Sequence, residues 1–177
     1  MFFIPGILIS IVTFPGVIVH EMAHQFFCRI FNVAILDVCY FRFGNPVGYV
    51  VHEIPKKAIH SIMIGVGPFF VNTIIGALIA LPSIIPVIKF ESGSPLDYFL
   101  IWLGVSIAMH SFPSIGDAKS IWEAVWNDET SLRTRIVALP IVALIFIGSI
   151  GSFFWLDLIY GIGVIMLVPY VLVKLFA

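Results

Sequence analysis

The chain has 177 residues, of which 60% are hydrophobic and only 11% are charged, and its formal net charge at pH 7 is −1. A soluble domain of this length needs more polar surface than this composition provides, so we expect an integral membrane protein. The near-neutral charge and the lack of a basic cluster argue against a nucleic acid as partner. The two cysteines, Cys28 and Cys39, are too few for a disulfide framework, and we expect free thiols.

Long uncharged runs predict the membrane spans, because a helix needs about 20 residues to cross about 30 Å of hydrocarbon. Gly148, Gly151 and Ser152 predict a tight turn that divides the last apolar run into two spans. The spans are expected at about residues 2–27, 60–88 and 98–110, with two more between residues 136 and 173. The predicted fold is therefore an all-α integral membrane protein with about five transmembrane helices.

The distribution of lysine and arginine predicts the orientation, because short loops rich in these residues stay in the cytoplasm. With five spans, one side of the membrane holds Arg29, Arg42, Lys56, Lys57, Lys119, Arg133, Arg135 and Lys174. The other side holds only Lys89. We therefore expect a multi-pass protein of the cell membrane, with its N-terminus outside and its C-terminus inside.

Two cytoplasmic loops carry patterns of their own. In the first, two runs of β-branched and aromatic residues flank the Gly-Asn-Pro sequence at residues 44–46, which predicts a β-hairpin over residues 33–54 at the membrane surface. In the second, apolar residues at helical spacing predict a short interfacial helix anchored by tryptophans. These residues are Ile121, Trp122, Val125 and Trp126.

The sequence HEMAH, residues 20–24, places two histidines and a glutamate in the first apolar run. On a helix, His20 and His24 share one face and can reach the same metal ion, while Glu21 can contact a metal-bound water. Zinc lowers the pKa of that water, and a neighbouring carboxylate can take its proton during attack on a carbonyl. Alternatively, the three side chains form a polar cluster that other helices or interfacial water satisfy.

A zinc site of this kind needs a third protein ligand, and Asp117 is the first candidate. It follows a proline and a glycine that end the third span on the cytoplasmic side, where the HEMAH sequence also lies. Irregular backbone there can line a cavity at membrane depth. Alternatively, Asp117 caps a helix that begins at Ala118. The rival ligands are His110, His52, His60 and Cys28.

Asn72 is a polar amide within the apolar second span. Its side chain can donate a hydrogen bond to an oxyanion or orient the backbone of a substrate, which would be a catalytic role. A hydrogen bond between helices, without any role in catalysis, explains the residue equally well.

Three features together resemble the site-2 proteases, which are intramembrane zinc metalloproteases. They are HEMAH in one span, Gly67-Pro68 followed by Asn72 in the next, and Asp117 after Pro113 at the end of a third. The resemblance covers residues 1–120 and implies a three-helix catalytic core that includes the hairpin. Residues 121–177 then supply the interfacial helix and two accessory transmembrane helices of the same domain.

The resemblance also implies a set of roles. His20, His24 and Asp117 would bind one Zn²⁺, Glu21 would be the catalytic base, and Asn72 would lie near the active site. The substrates would be membrane-anchored proteins cut within or near the lipid bilayer. The chain resembles a minimal member, without an inserted PDZ or CBS domain.

A non-enzymatic function is the competing hypothesis: a zinc-binding scaffold, an inactive homologue, or a small ion transporter. A transporter typically has repeated halves, and this sequence shows no such repeat. An inactive homologue is expected to lose the catalytic glutamate first, yet Glu21 is present.

Overall fold

The computed structural model describes residues 5–127 and 130–176. These residues form mostly α-helices together with one two-stranded antiparallel sheet, which confirms the predicted helical chain with a hairpin. The elements are α1 (Gly6–Val12), α2 (Phe14–Ile30), β1 (Ile35–Cys39), β2 (Tyr49–His52), α3 (Ala58–Ile84), α4 (Pro95–Met109), α5 (Ile115–Val125), α6 (Leu132–Gly151) and α7 (Leu156–Phe176). A π-helical turn, Ile85–Lys89, extends α3, and a 3₁₀ turn, Ser152–Phe154, joins α6 to α7.

The first apolar segment is bent rather than straight, since α1 and α2 meet at 88°. Pro15 lacks the N–H that would bond to the Ile11 carbonyl in a continuous helix. At Thr13 the chain closes α1 instead, because the Thr13 N–H and hydroxyl both donate to the Ile9 carbonyl, at 2.8 and 2.7 Å. The predicted first span is therefore a bent pair of helices.

Two helical segments, Ala58–Lys89 and Leu132–Phe154, are long and apolar enough to cross a membrane. The bent pair of α1 and α2 makes a third if it is taken as one span. The apolar stretches Pro95–Met109 and Leu156–Val171 are shorter. By length and composition, the described residues thus contain two or three spans, compared with the five predicted.

The hairpin packs against α2. Its strands pair Val38 with Val50 and Cys39 with Tyr49. The Tyr40 hydroxyl donates to Oε1 of Gln25 at 2.6 Å. Gln25 lies one helical turn after Glu21, so the hairpin covers the part of α2 that carries the HEMAH sequence.

Helices α2, α3 and α4 pack closely through small residues. A Cβ atom added at Gly76 of α3 would lie 2.7 Å from the Gly104 carbonyl oxygen of α4, and one at Gly16 of α2 would clash with the Ser106 carbonyl. Such glycines let helix backbones approach each other within a membrane. Helix α5 buries Ala118, Ile121 and Val125 against α3 and α6.

The predicted turn before the last helix begins later than expected. Gly148 lies inside α6, where a Cβ atom would come within 2.7 Å of the Phe112 ring, and the chain turns at Ser152–Phe154. Trp155 ends this turn with a left-handed backbone, φ 64°. Gly148 is therefore a close-packing position against Phe112 rather than part of the turn.

Candidate metal centre

Helix α2 presents the three HEMAH side chains in a buried position. His20 and Glu21 are each 8% exposed, and His24 is 5% exposed. The four-residue spacing puts both imidazoles on one face, and their Nε2 atoms lie 3.1 Å apart.

Both imidazoles are anchored through Nδ1. Nδ1 of His20 donates to the His110 carbonyl at 2.8 Å, and Nδ1 of His24 donates to the Ile64 carbonyl at 2.9 Å. Since a carbonyl oxygen only accepts, each Nδ1 carries a proton, and a ring that is neutral then presents a lone pair on Nε2. Two such nitrogens at 3.1 Å need a cation between them, which is either a shared proton or a metal ion. Such backbone anchors are also typical of histidines that bind metals.

Asp117, which lies in α5, comes close to both histidines of α2. Its Oδ1 atom is 3.3 Å from Nε2 of His24, and its Oδ2 atom is 3.8 Å from Nε2 of His20. Zinc bonds of about 2.0–2.1 Å in a tetrahedron place neighbouring ligand atoms about 3.3 Å apart. The three separations of 3.1, 3.3 and 3.8 Å are close to this value. The three ligand atoms are therefore spaced as three protein ligands of one zinc ion would be.

Asp117 also caps its own helix, but not in the way the sequence suggested. Helix α5 begins at Ile115 rather than Ala118, with Ser114 as its N-cap. The Ser114 N–H and hydroxyl both donate to Oδ2 of Asp117 at 2.7 Å. Because this capping box occupies Oδ2, the Oδ1 atom stays available to face His24. Capping and ligation are therefore divided between the two oxygens.

The charge of Asp117 suits a metal ligand. Burial favours a higher pKa for this carboxyl group, but the neighbouring His24 and His20 outweigh burial and hold the pKa well below its usual range. Asp117 is therefore a carboxylate at neutral pH, which is the form that binds a metal.

The ligand atoms of His20, His24 and Asp117 form a triangle. Glu21 lies beside this triangle but is not part of it. It is near enough to His20, His24 and Asp117 for their charges to interact. A Cβ atom added at Gly48 of the hairpin would lie 2.8 Å from Cγ of Glu21 and 3.0 Å from Oε1. The Glu21 carboxylate forms no hydrogen bond with any other described residue. Glu21 thus lies against the hairpin at Gly48, beside the three ligand side chains.

Asn72 lies at the centre of the three-helix unit and is fully buried. Its Nδ2 atom lies 3.1 Å from the Gly16 carbonyl, 3.2 Å from the Ile107 carbonyl and 3.1 Å from the His110 carbonyl. The His110 carbonyl also accepts from His20. The structure thus connects Asn72 to the ligands through one shared carbonyl, and its contacts are those of an interhelical residue.

The rival ligands lie outside the triangle. Within residues 5–127 and 130–176, the group of His20, His24 and Asp117 is the one place where three or more His, Cys, Asp or Glu ligand atoms converge. The side chain of His110 donates to the Ser106 carbonyl at 2.9 Å, and that of His52 donates to the Glu53 carbonyl at 2.8 Å. His60 stacks on Phe31, and Cys28 is buried.

Several residues that shape the site were not predicted from the sequence. Ser114 holds Asp117, the carbonyls of His110 and Ile64 anchor the imidazoles, and Gly48 makes room for Glu21. The S-x-x-D spacing of Ser114 and Asp117 is close to a capping box, so it could have been recognised. The two carbonyls have no signature, because every residue carries one.

Comparisons with known proteins identify no family for this chain. No family model matches it, and neither a curated protein nor a solved structure gives a match.

Proposed function

We propose that this protein is an intramembrane zinc metalloprotease of the site-2 protease type, which hydrolyses peptide bonds of membrane-anchored proteins within or near the bilayer. One observation carries the proposal: His20, His24 and Asp117, from two separate helices, bring their ligand atoms within 4.8 Å of one another. The free Glu21 carboxylate beside them supplies the acid–base group that hydrolysis needs.

The protein would hold one Zn²⁺ through Nε2 of His20, Nε2 of His24 and Oδ1 of Asp117. When bound, zinc acts as a Lewis acid that polarises a carbonyl group and lowers the pKa of a water. The backbone anchors at Nδ1 keep both imidazoles in the tautomer that binds a metal. Ser114 keeps the Asp117 carboxylate pointing at them.

Glu21 would act as the general base. Its carboxylate takes a proton from the attacking water and then gives that proton to the leaving amide nitrogen. Positioned general acid–base groups contribute about 10²–10⁴-fold to rate. Asn72 would support this arrangement by holding the His110 carbonyl that anchors His20.

The membrane arrangement is part of the proposal. All five apolar segments cross the bilayer, with the N-terminus outside and the metal centre towards the cytoplasmic face. The irregular segment between α4 and α5 then offers water a route to the site, because non-helical backbone at membrane depth lines cavities. The hairpin beside Glu21 is the expected contact for an unwound substrate segment, since an exposed strand edge pairs with extended peptides.

A comparison of the native chain with Glu21→Gln tests the proposal. Each protein is expressed in cells with tagged membrane-anchored proteins, the cleaved fragments are compared, and zinc is measured on the purified chains. We expect equal zinc content and at least about 100-fold less cleavage by Glu21→Gln. Glu91→Gln is the matched control, since Glu91 is an exposed glutamate in the connection between α3 and α4, outside the hairpin. It should cleave like the native chain.

Two outcomes would overturn the proposal. Bound zinc with identical fragments from native and Glu21→Gln cells indicates a non-proteolytic zinc-binding protein. If the purified native chain contains no zinc, the three side chains do not form a zinc centre, and a polar cluster or an ion path is favoured instead.

A further inference from the structure

The segment that joins α4 to α5 is held by helices from the other end of the chain. Phe112 places its ring 6.1 Å from the ring of Phe69 in α3 and 5.0 Å from that of Tyr160 in α7. On another side, a Cβ atom at Gly148 of α6 would come within 2.7 Å of Cδ1 of Phe112. The ring therefore fills a space bounded by three helices, two of which lie beyond residue 120.

A partly buried chain of hydroxyl groups holds Ser111, the residue before Phe112. The Ser111 hydroxyl donates to the Ala108 carbonyl at 2.7 Å. The Thr73 hydroxyl shares its one proton between the Phe69 carbonyl at 2.5 Å and Oγ of Ser111 at 3.1 Å. The Tyr160 hydroxyl lies 2.7 Å from Oγ1 of Thr73. Since the single proton of Thr73 is already used, Tyr160 is the donor in this last bond.

The position of this segment determines where Asp117 lies. Phe112 precedes Pro113, which restricts the backbone, and Ser114 follows directly. Ser114 then makes the two 2.7 Å hydrogen bonds that hold the Asp117 carboxylate against the histidines. A shift of Phe112 or Ser111 would therefore move the third ligand.

We infer that Tyr160 is a positioning residue for Asp117, so that α6 and α7 complete the metal centre instead of merely flanking it. The inference rests on the proposed function, because it takes Asp117 as a zinc ligand. Tyr160 has no contact with the ligand atoms and acts through Ser111, Phe112 and Ser114. Loss of its hydroxyl loosens the segment and lets the carboxylate move away from the two imidazoles.

The test measures zinc affinity of the full chain in lipid nanodiscs by competition with a chelator. Tyr160→Phe removes the donor and keeps the ring, and we expect its zinc affinity to fall about tenfold, as for other residues that support a metal ligand. Tyr98→Phe, at an exposed tyrosine, should bind zinc like the native chain. Thr73→Val should lower zinc affinity as Tyr160→Phe does, whereas Thr73→Ser should keep native zinc affinity.

The decisive comparison repeats Tyr160→Phe in an Asp117→Ala background. With the third ligand already gone, Tyr160→Phe should change zinc affinity by less than about twofold, since its effect passes through Asp117. The absorption spectrum of bound Co²⁺ should change between the native chain and Tyr160→Phe, because it reports the ligand set.

Native affinity in Tyr160→Phe would overturn the inference, and so would an equal loss in both backgrounds, which indicates general destabilisation. A native chain that binds no zinc would overturn the proposed function and this inference together. Zinc binding by the native chain thus tests the metal centre, and the differences between variants test the role of Tyr160.

Discussion

Replacing Ser114 with alanine should lower both the stability of the protein and its affinity for zinc. The side chain of Ser114 accepts a hydrogen bond from the Asp117 N–H at 3.2 Å and donates one to Oδ2 of Asp117 at 2.7 Å. Alanine removes both and leaves the 2.7 Å bond from the Ser114 N–H. The carboxylate then keeps one of the two hydrogen bonds that Ser114 donates to it and can turn away from the histidines.

The two effects have separate magnitudes. Loss of a serine N-cap costs about 1 kcal/mol of stability. Loss of a partner that orients a metal ligand lowers metal affinity about 10- to 100-fold. We therefore expect Ser114→Ala to be about 1 kcal/mol less stable without zinc and to bind zinc at least about tenfold more weakly.

The chain contains a matched control for this variant. Ser94 caps α4 with the same capping box, in which the N–H and hydroxyl of Ser94 donate to Oδ2 of Asp97 at 2.8 and 2.6 Å. Asp97 lies outside the metal-ligand group. Ser94→Ala should therefore lose a similar amount of stability and keep native zinc affinity. Thermal unfolding of the zinc-free proteins in detergent and chelator competition measure the two quantities.

Equal zinc affinity in Ser114→Ala and Ser94→Ala would refute the role of Ser114 in orienting Asp117. Equal affinities at the native value mean that Ser114 only caps its helix. Equal affinities below it mean that zinc binding reports overall stability rather than the orientation of Asp117.

Two further predictions concern Glu21 and the histidines. Gly48→Ala should place a methyl group 2.8 Å from Cγ of Glu21 and reduce cleavage about 10- to 100-fold at unchanged zinc content. Gly44→Ala is the control, because the nearest neighbour of the added methyl group is the flexible Arg42 side chain at 3.6 Å. Equal activity of the two variants would contradict the role of the contact between Gly48 and Glu21. Acidification should weaken zinc binding, because protons compete with the metal for Nε2 of His20 and His24, so the affinity measured by chelator competition should fall steadily as the pH is lowered. Zinc affinity that is independent of pH would exclude both imidazoles as ligands.

Local patterns made part of the fold predictable. Two runs of β-branched and aromatic residues around a turn predicted the hairpin, and the structure confirms it at β1 and β2. Apolar length predicted five spans, but α4 has only 15 residues and the first segment bends at Thr13. Apolar composition alone does not reveal such a bend, because it depends on which backbone hydrogen bonds Pro15 prevents.

The sequence by itself determined the pair of histidines and the adjacent glutamate, because a four-residue spacing on a helix places side chains on one face whatever the rest of the chain does. Only the tertiary structure decided which residue completes the triangle. Asp117 reaches the histidines because α5 packs against α3 and Ser114 turns its carboxylate towards them. The anchors at the His110 and Ile64 carbonyls and the space at Gly48 also come from packing between distant segments. Contacts of this kind depend on how close the helix backbones lie, which no local pattern records.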